Sequence, residues 1–310
     1  MRLDGRRQSD NVEDRRGQSS GGSMRGLSGG SSMLPLLLSL LKGKSGKWII
    51  IAIVAFVILS YAGGCNPLEI LMGASSGISP TQTETQSGNY EATAEEEALA
   101  DFSRQILAST EDVWEEVFRK MGKQYQNPTL VLYTGSVSTA CGAGSAAVGP
   151  FYCSGDQKLY IDLSFFTTMK SQIGADGDFA YAYVIAHEVG HHVEYLLGTL
   201  GQAHRQMQSL DKAAANEISV RLELLADYYA GVWGHYENKR YQSLEDGDIE
   251  EAINASLKIG DDYLQKKAQG YAVPESFTHG TSQQRKKWLK LGLETGDMST
   301  TTFRGSYDAL

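Results

Sequence analysis

The stretch "DFAYAYVIAHEVGHHVEYLLG", residues 178–198, decides the reading of this chain. Its apolar residues run without a proline, which predicts a buried helix over about 177–197. His187 and His191 are four apart, so both side chains share one face, with Cβ atoms roughly 6 Å apart, and two imidazoles so placed can hold one metal ion. Glu188, about 100° further round the helix, misses that ion but reaches a water beside it. This is the HExxH arrangement of two ligands and a base: zinc acidifies a water, the carboxylate takes the proton, and the metal polarises the carbonyl under attack. Gly190 and Ala186 leave room for a neighbouring element against the ligand face. His192, five residues after His187, faces away and reads as a packing or surface histidine.

Two histidines do not complete a catalytic zinc site, which takes three protein ligands and keeps one position open. The next long helical stretch contains "SVRLELLADYYAG" (219–231), with Glu223 and Asp227 again four apart. Two carboxylates among leucines and alanines are unfavourable unless a positive charge compensates them. Glu223 is expected as the third ligand. Asp227 is expected to accept a hydrogen bond from the other ring nitrogen of a ligand histidine. The reverse assignment, with Asp227 on the metal, stays open; without HEVGH upstream the pair would read as a solvated helix face near Arg221.

His279 lies in "ESFTHGTSQQRKKW" (275–288), ahead of a helix whose start is marked by Thr281 and Gln284 at capping-box spacing. A histidine there could donate to the oxyanion of a tetrahedral intermediate, with Arg285 holding the loop or its acid partner; a turn histidine without a role fits the sequence as well. His204 and His235 have no ligand-like context.

The 310 residues are 41% hydrophobic, enough for one sizeable domain or two small ones. Net charge is -9, split into +5 over residues 1–47 and -14 over the remainder, and the acidic body argues against a nucleic-acid partner. Trp48 to Cys65 is an eighteen-residue run without a charge, long enough to cross a bilayer. Lys42, Lys44, Lys47 and six arginines precede it, so the positive-inside rule expects a cytoplasmic N-terminus and a body outside the cytoplasm. A cleaved signal is disfavoured by the long basic region ahead of the run. Cys65, after "AGG", is read as a membrane-end cysteine, with lipidation the minor alternative.

Residues 1–32 have almost no apolar side chains and are expected to form a flexible tail. "MLPLLLSLL" (33–41) is too short to span and is expected to lie on the membrane surface. The segment 73–89 has linker composition. The organisation expected is thus a basic tail at 1–47, one transmembrane helix at 48–65, a linker at 66–91 and a folded domain at 92–310. Within that domain, residues 95–109 and 110–125 read as two amphipathic helices with Ser109 or Thr110 as a cap between them. Strands are expected at 129–135 and 157–166, and helices at about 177–197, 209–236, 247–269 and from Thr281. This is an α+β fold, mostly helical with a small sheet. Cys141 and Cys153 bracket "CGAGSAAVGPFYC" and could close a disulfide in an oxidising compartment or remain reduced thiols.

Taken together, the basic tail, the apolar run, "CGAGSAAVGPFYCSGDQKLYIDLSFF", "AHEVGHHVE", "SVRLELLADYYAGVW" and "THGTSQQRKKW" resemble the neutral zinc metallopeptidases of bacteria, the YpfJ-like family. That resemblance covers nearly the whole chain and implies a single-pass inner-membrane protein with a zincin-like domain, a Zn2+ cofactor and a peptide or protein substrate. More distantly, the order HExxH, ExxxD and a loop histidine followed by an arginine is similar to integral-membrane proteases, in which the ExxxD glutamate is a ligand. This sequence has Gly280 where those enzymes often have proline after the histidine. Zincins commonly lay substrate along a sheet edge, and "KLYIDLSFF" (158–166) is the segment expected to supply it. The reading of another class is a membrane-tethered binding or assembly protein with a non-catalytic zinc; Glu188 favours the enzyme, because a purely structural site needs no base.

Overall fold

A computed structural model of the chain describes residues 1–18, 90–145 and 149–310. The run expected to span a membrane, the apolar stretch at 33–41 and nearly all of the linker lie outside the described residues. Among the described residues no helix is long and apolar enough to cross a membrane.

Helices dominate, and a small mixed sheet covers one side, as the α+β reading expects. Strands β1 (Val12–Asp14), β2 (Thr129–Tyr133), β5 (Phe151–Cys153) and β6 (Lys158–Asp162) form a sheet of order β1-β2-β6-β5. The first three are parallel, with Leu130 opposite Val12 and Leu159, while β5 runs antiparallel to β6. A separate hairpin pairs β3 (Ser136–Thr139) with β4 (Gly142–Ser145). A Cys141–Cys153 disulfide with sulfurs 2.05 Å apart ties the hairpin turn to β5.

The segment 158–166 corrects two expectations. Its strand ends at Asp162, which accepts from Ser164 N–H at 3.0 Å, and the chain turns into α2 (Ser164–Thr168) and a π-helical turn, Met169–Ile173. Moreover β6 is interior, flanked by β2 and β5, so its backbone groups are already paired and it cannot supply an open edge. The edges are β1 and β5.

The N-terminal residues give the largest correction. Residues 1–18, expected as flexible tail, are part of the body. Leu130 N–H donates to Asn11 O and Arg15 N–H to Leu132 O, extending the β1–β2 ladder, and Met1 joins the core. Composition misleads here because the arginines find acids far along the chain. Arg6 pairs with Glu237 at 2.8 Å, Arg7 with Glu111 at 2.9 Å and Arg16 with Glu97 at 2.9 Å. Ser9 Oγ and Asn11 Nδ2 also donate to buried Glu111. Arg6, Arg7 and Arg16 thus pair with acids of the body.

The first helix, α1 (Ala94–Lys120), is capped by a Thr93/Glu96 capping box and is continuous, not two helices. Ser109 does not cap. Its hydroxyl donates to Glu237 at 2.5 Å and accepts from Trp233 Nε1 at 2.8 Å, while Thr110 donates back to Leu107 O. Both short polar side chains are thereby satisfied inside the helix.

Helix α3 (Asp178–Leu196) carries HEVGH and is buried on nearly all sides, against α1, β5 and two helices further along the chain. It is followed by α4 (Thr199–Met207) and α5 (Lys212–Tyr241), whose Asp211 caps Ala214 N–H at 2.9 Å. The expected helix 247–269 is two helices, α6 (Asp248–Lys258) and α7 (Asp261–Gln269). They break at Gly260, where a Cβ would lie 2.3 Å from the nitrogen of Ser282. Helix α8 (Ser282–Thr295) starts with the expected Thr281/Gln284 capping box. It crosses α5 closely: a Cβ on Gly292 would meet Tyr228 O at 2.1 Å, so glycine is what lets α8 bring Arg285 against α5.

Candidate active site

The site begins with the contact between α3 and α5. A Cβ at Gly190 would stand 2.8 Å from Ala226 O, so the two backbones touch there, as the small residue suggested. Ala226 lies between Glu223 and Asp227, and the contact therefore delivers both carboxylates to the histidine face. His187 Nε2 is 3.2 Å from one Glu223 oxygen and His191 Nε2 is 3.6 Å from the other. The three donor atoms lie within 4.8 Å of one another.

The opposite ring nitrogens are fixed. His187 Nδ1 donates to Asp227 Oδ1 at 2.8 Å, the orienting role expected of Asp227. That carboxylate also accepts from Tyr183 OH at 2.5 Å and from Arg285 at 2.8 and 2.9 Å. Burial pushes the Asp227 pKa up, but Arg285 and His187 outweigh it and hold the group at about 2. For His187, burial pulls down and Asp227 more than compensates, raising it to about 10. His191 Nδ1 donates to Glu194 Oε2 at 2.9 Å. Glu194 is fully buried, its Oε1 has no hydrogen-bond partner among the described residues, and burial pushes its pKa to about 7. Both imidazoles thus turn Nε2 toward Glu223. Burial alone would raise Glu223, but His191, His187 and His279 together hold it well below the carboxylate range. Two imidazole nitrogens and a carboxylate oxygen, each aimed by a buried acid or by charge, match the donor set of a zinc centre.

His187, His191 and Glu223 line a cleft of about 410 Å³ with Glu188, His279 and Arg285. Glu188 is 7% exposed, and burial raises its pKa, which makes it a better proton acceptor than a surface carboxylate. His279 faces the cleft from the loop before α8. Its Nδ1 lies 3.2 Å from Asp261 Oδ1, and Asp261 Oδ2 accepts the backbone N–H groups of Thr278, His279 and Gly280. Asp261, rather than the expected Arg285, therefore holds this loop, and Arg285 binds Asp227 instead. Phe151 and Tyr152 of β5 form another wall. His192 faces away as expected: it is fully buried, its Nε2 donates to Gln126 O at 2.7 Å, and its Nδ1 accepts from Tyr152 OH at 2.9 Å.

The sequence reading missed Glu194 and Asp261. Glu194 had a local signal, since it lies three residues after His191 on one helix face. Asp261 had none, because it reaches His279 only through the α6–α7 break.

A helix bearing HExxH, closed by a carboxylate from the next long helix over a cleft, defines the metal-binding class to which the comparisons point. The chain belongs to the family described as "Putative neutral zinc metallopeptidase", whose pattern matches residues 1–303 and so includes the N-terminal strand. It is 48% identical over 297 residues to the uncharacterized protein YpfJ of Escherichia coli K12, covering 96% of each chain. It is also 41% identical over 201 residues to the uncharacterized proteins Mb2605 of Mycobacterium bovis and Rv2575 of Mycobacterium tuberculosis, covering 62% of this chain and 67% of theirs. No solved structure matches the chain.

Proposed function

We propose that this protein is a zinc-dependent peptidase, an endopeptidase cutting extended polypeptide, with His187, His191 and Glu223 as the metal ligands. The observation that carries this reading is the convergence of two Nε2 atoms and one carboxylate on one side of the cleft, while both Nδ1 atoms are tied to buried acids. Zinc held there would polarise the scissile carbonyl and acidify a neighbouring water.

The chain's own groups supply the remaining steps. Glu188 takes the proton from the attacking water and returns it to the leaving amine, a role suited to a carboxylate whose pKa burial has raised. His279, oriented by Asp261, donates to the developing oxyanion. Tyr183 and Arg285 keep Asp227 anionic, so His187 presents the same nitrogen throughout. Substrate lies along β5, the sheet edge beside the site, with Phe151 and Tyr152 flanking it; this role replaces the one expected of 158–166.

The uncharged run 48–65 supplies contact with the bilayer of a bacterial inner membrane, on the strength of its sequence. A bonded Cys141–Cys153 pair belongs to an oxidising compartment, which favours a body outside the cytoplasm. The test is cleavage of a quenched fluorescent peptide library by the purified full chain loaded with zinc, beside its Glu188→Gln form. Cleavage by the parent, inhibited by a peptide hydroxamate and absent from the variant, supports the reading; equal turnover by both ends it.

A further inference from the structure

The described residues before and after the segment 19–89 make one body, and the two points where the chain leaves and rejoins it touch. Arg16 pairs with Asp14 and, at 2.9 Å, with Glu97, and its Nη1 reaches Glu96 O at 3.5 Å. At Gly17, in a left-handed conformation with φ +69°, a Cβ would meet the Cβ of Tyr90 at 2.1 Å. The exit at Gly17 and the return at Tyr90 are therefore side by side.

Upstream of that point, residues 1–16 cannot be peeled away without damage to the interior. Strand β1 covers one edge of β2, whose Leu130, Val131 and Leu132 are fully buried. Glu111 and Glu237 are 2% and 0% exposed, and two of their cationic partners are Arg7 and Arg6. Withdrawing the arginines would weaken the pairing of buried carboxylates and strip β2 of a neighbour.

We infer that residues 1–18 and the body 90–310 lie on the same side of any bilayer the chain meets. This replaces the topology read from charge, in which one crossing separates a cytoplasmic N-terminus from an outer body. It also takes Arg6, Arg7 and Arg16 out of the positive signal for orientation, because they are committed to acids of the body, and leaves that signal to Lys42, Lys44 and Lys47. The inference does not depend on the peptidase reading.

The test places single cysteines at two exposed positions, Gln8→Cys and Gln208→Cys, in the membrane-bound full chain carrying Cys65→Ser. Each is probed with a membrane-impermeant maleimide in spheroplasts and in inverted vesicles, with detergent-opened membranes defining full labelling. The same pattern at both positions, whether labelled from outside or from inside, is expected. Labelling of one from outside and the other from inside would overturn the inference, and would leave the zinc site untouched.

Discussion

Gly190 of α3 and Ala226 of α5 meet backbone to backbone, with Ala226 O 2.8 Å from the place a Gly190 side chain would begin. The geometry of the proposed ligands hangs on this contact, because Ala226 is flanked on its own helix by Glu223 and Asp227. Replacing Gly190 with alanine gains about 1 kcal/mol of helix propensity but forces the helices apart. Overpacking of this kind costs about 1–3 kcal/mol. The expected outcome is a chain of slightly lower thermal stability whose zinc affinity falls by at least tenfold, measured by denaturation and by competition with a chelating dye.

The two imidazole-orienting acids should behave differently. Asp227→Asn leaves Arg285 buried without its carboxylate, and breaking such a pair costs about 3–5 kcal/mol. Glu194→Gln keeps an acceptor for His191 Nδ1, whereas Glu194→Ala removes it, and loss of such a partner lowers metal affinity by about 10–100-fold. Chelator competition should rank parent, Glu194→Gln and Glu194→Ala in that order.

Glu188→Gln preserves shape and the proposed metal ligands while removing the proposed base. Its turnover should fall by about 10²–10⁴-fold with zinc content unchanged. Single-turnover cleavage alongside metal analysis separates the two quantities.

The loop at 278–280 has a pH signature. The hydrogen bond that His279 donates to Asp261 raises the His279 pKa above its ordinary 6.5, so its contribution to loop stability is complete below that value and is lost as pH rises through the higher folded pKa. For Asp261, burial alone would raise the pKa, but bonding to His279 and the loop amides lowers it below 3.8, so its contribution is present above that value and is lost as pH falls through the lower one. Hydrogen exchange of the Thr278–Gly280 amides should therefore be slowest, relative to the intrinsic rate, between these limits. Asp261→Asn should move the onset of alkaline loosening to lower pH. His279→Ala should lower kcat by about 10²-fold, the scale of a lost oxyanion donor.

Much of the site could be read from local spacing. Four-residue separations on two helices named His187, His191, Glu223 and Asp227, and a three-residue separation located the cap at Thr281 and Gln284. What stayed hidden was non-local. Arg6 and Arg7 look like solvated tail residues until Glu237 and Glu111, each more than 100 positions away, are placed beside them. The alternation in 158–162 announces a strand but says nothing of its neighbours. Only the parallel pairing with β2 shows that β6 is interior and that β5 holds the edge. Ser109 has the chemistry of a cap, and burial against Trp233 and Glu237 gave its hydroxyl another use.

The central claim is that Glu223 completes a metal site with the two histidines, and zinc stoichiometry tests it most directly. The purified full chain, equilibrated with zinc, freed of excess and assayed by atomic emission, should hold a single tightly bound ion that is lost in Glu223→Ala while the fold, followed by circular dichroism, persists. Undiminished zinc in a folded Glu223→Ala chain would contradict the account.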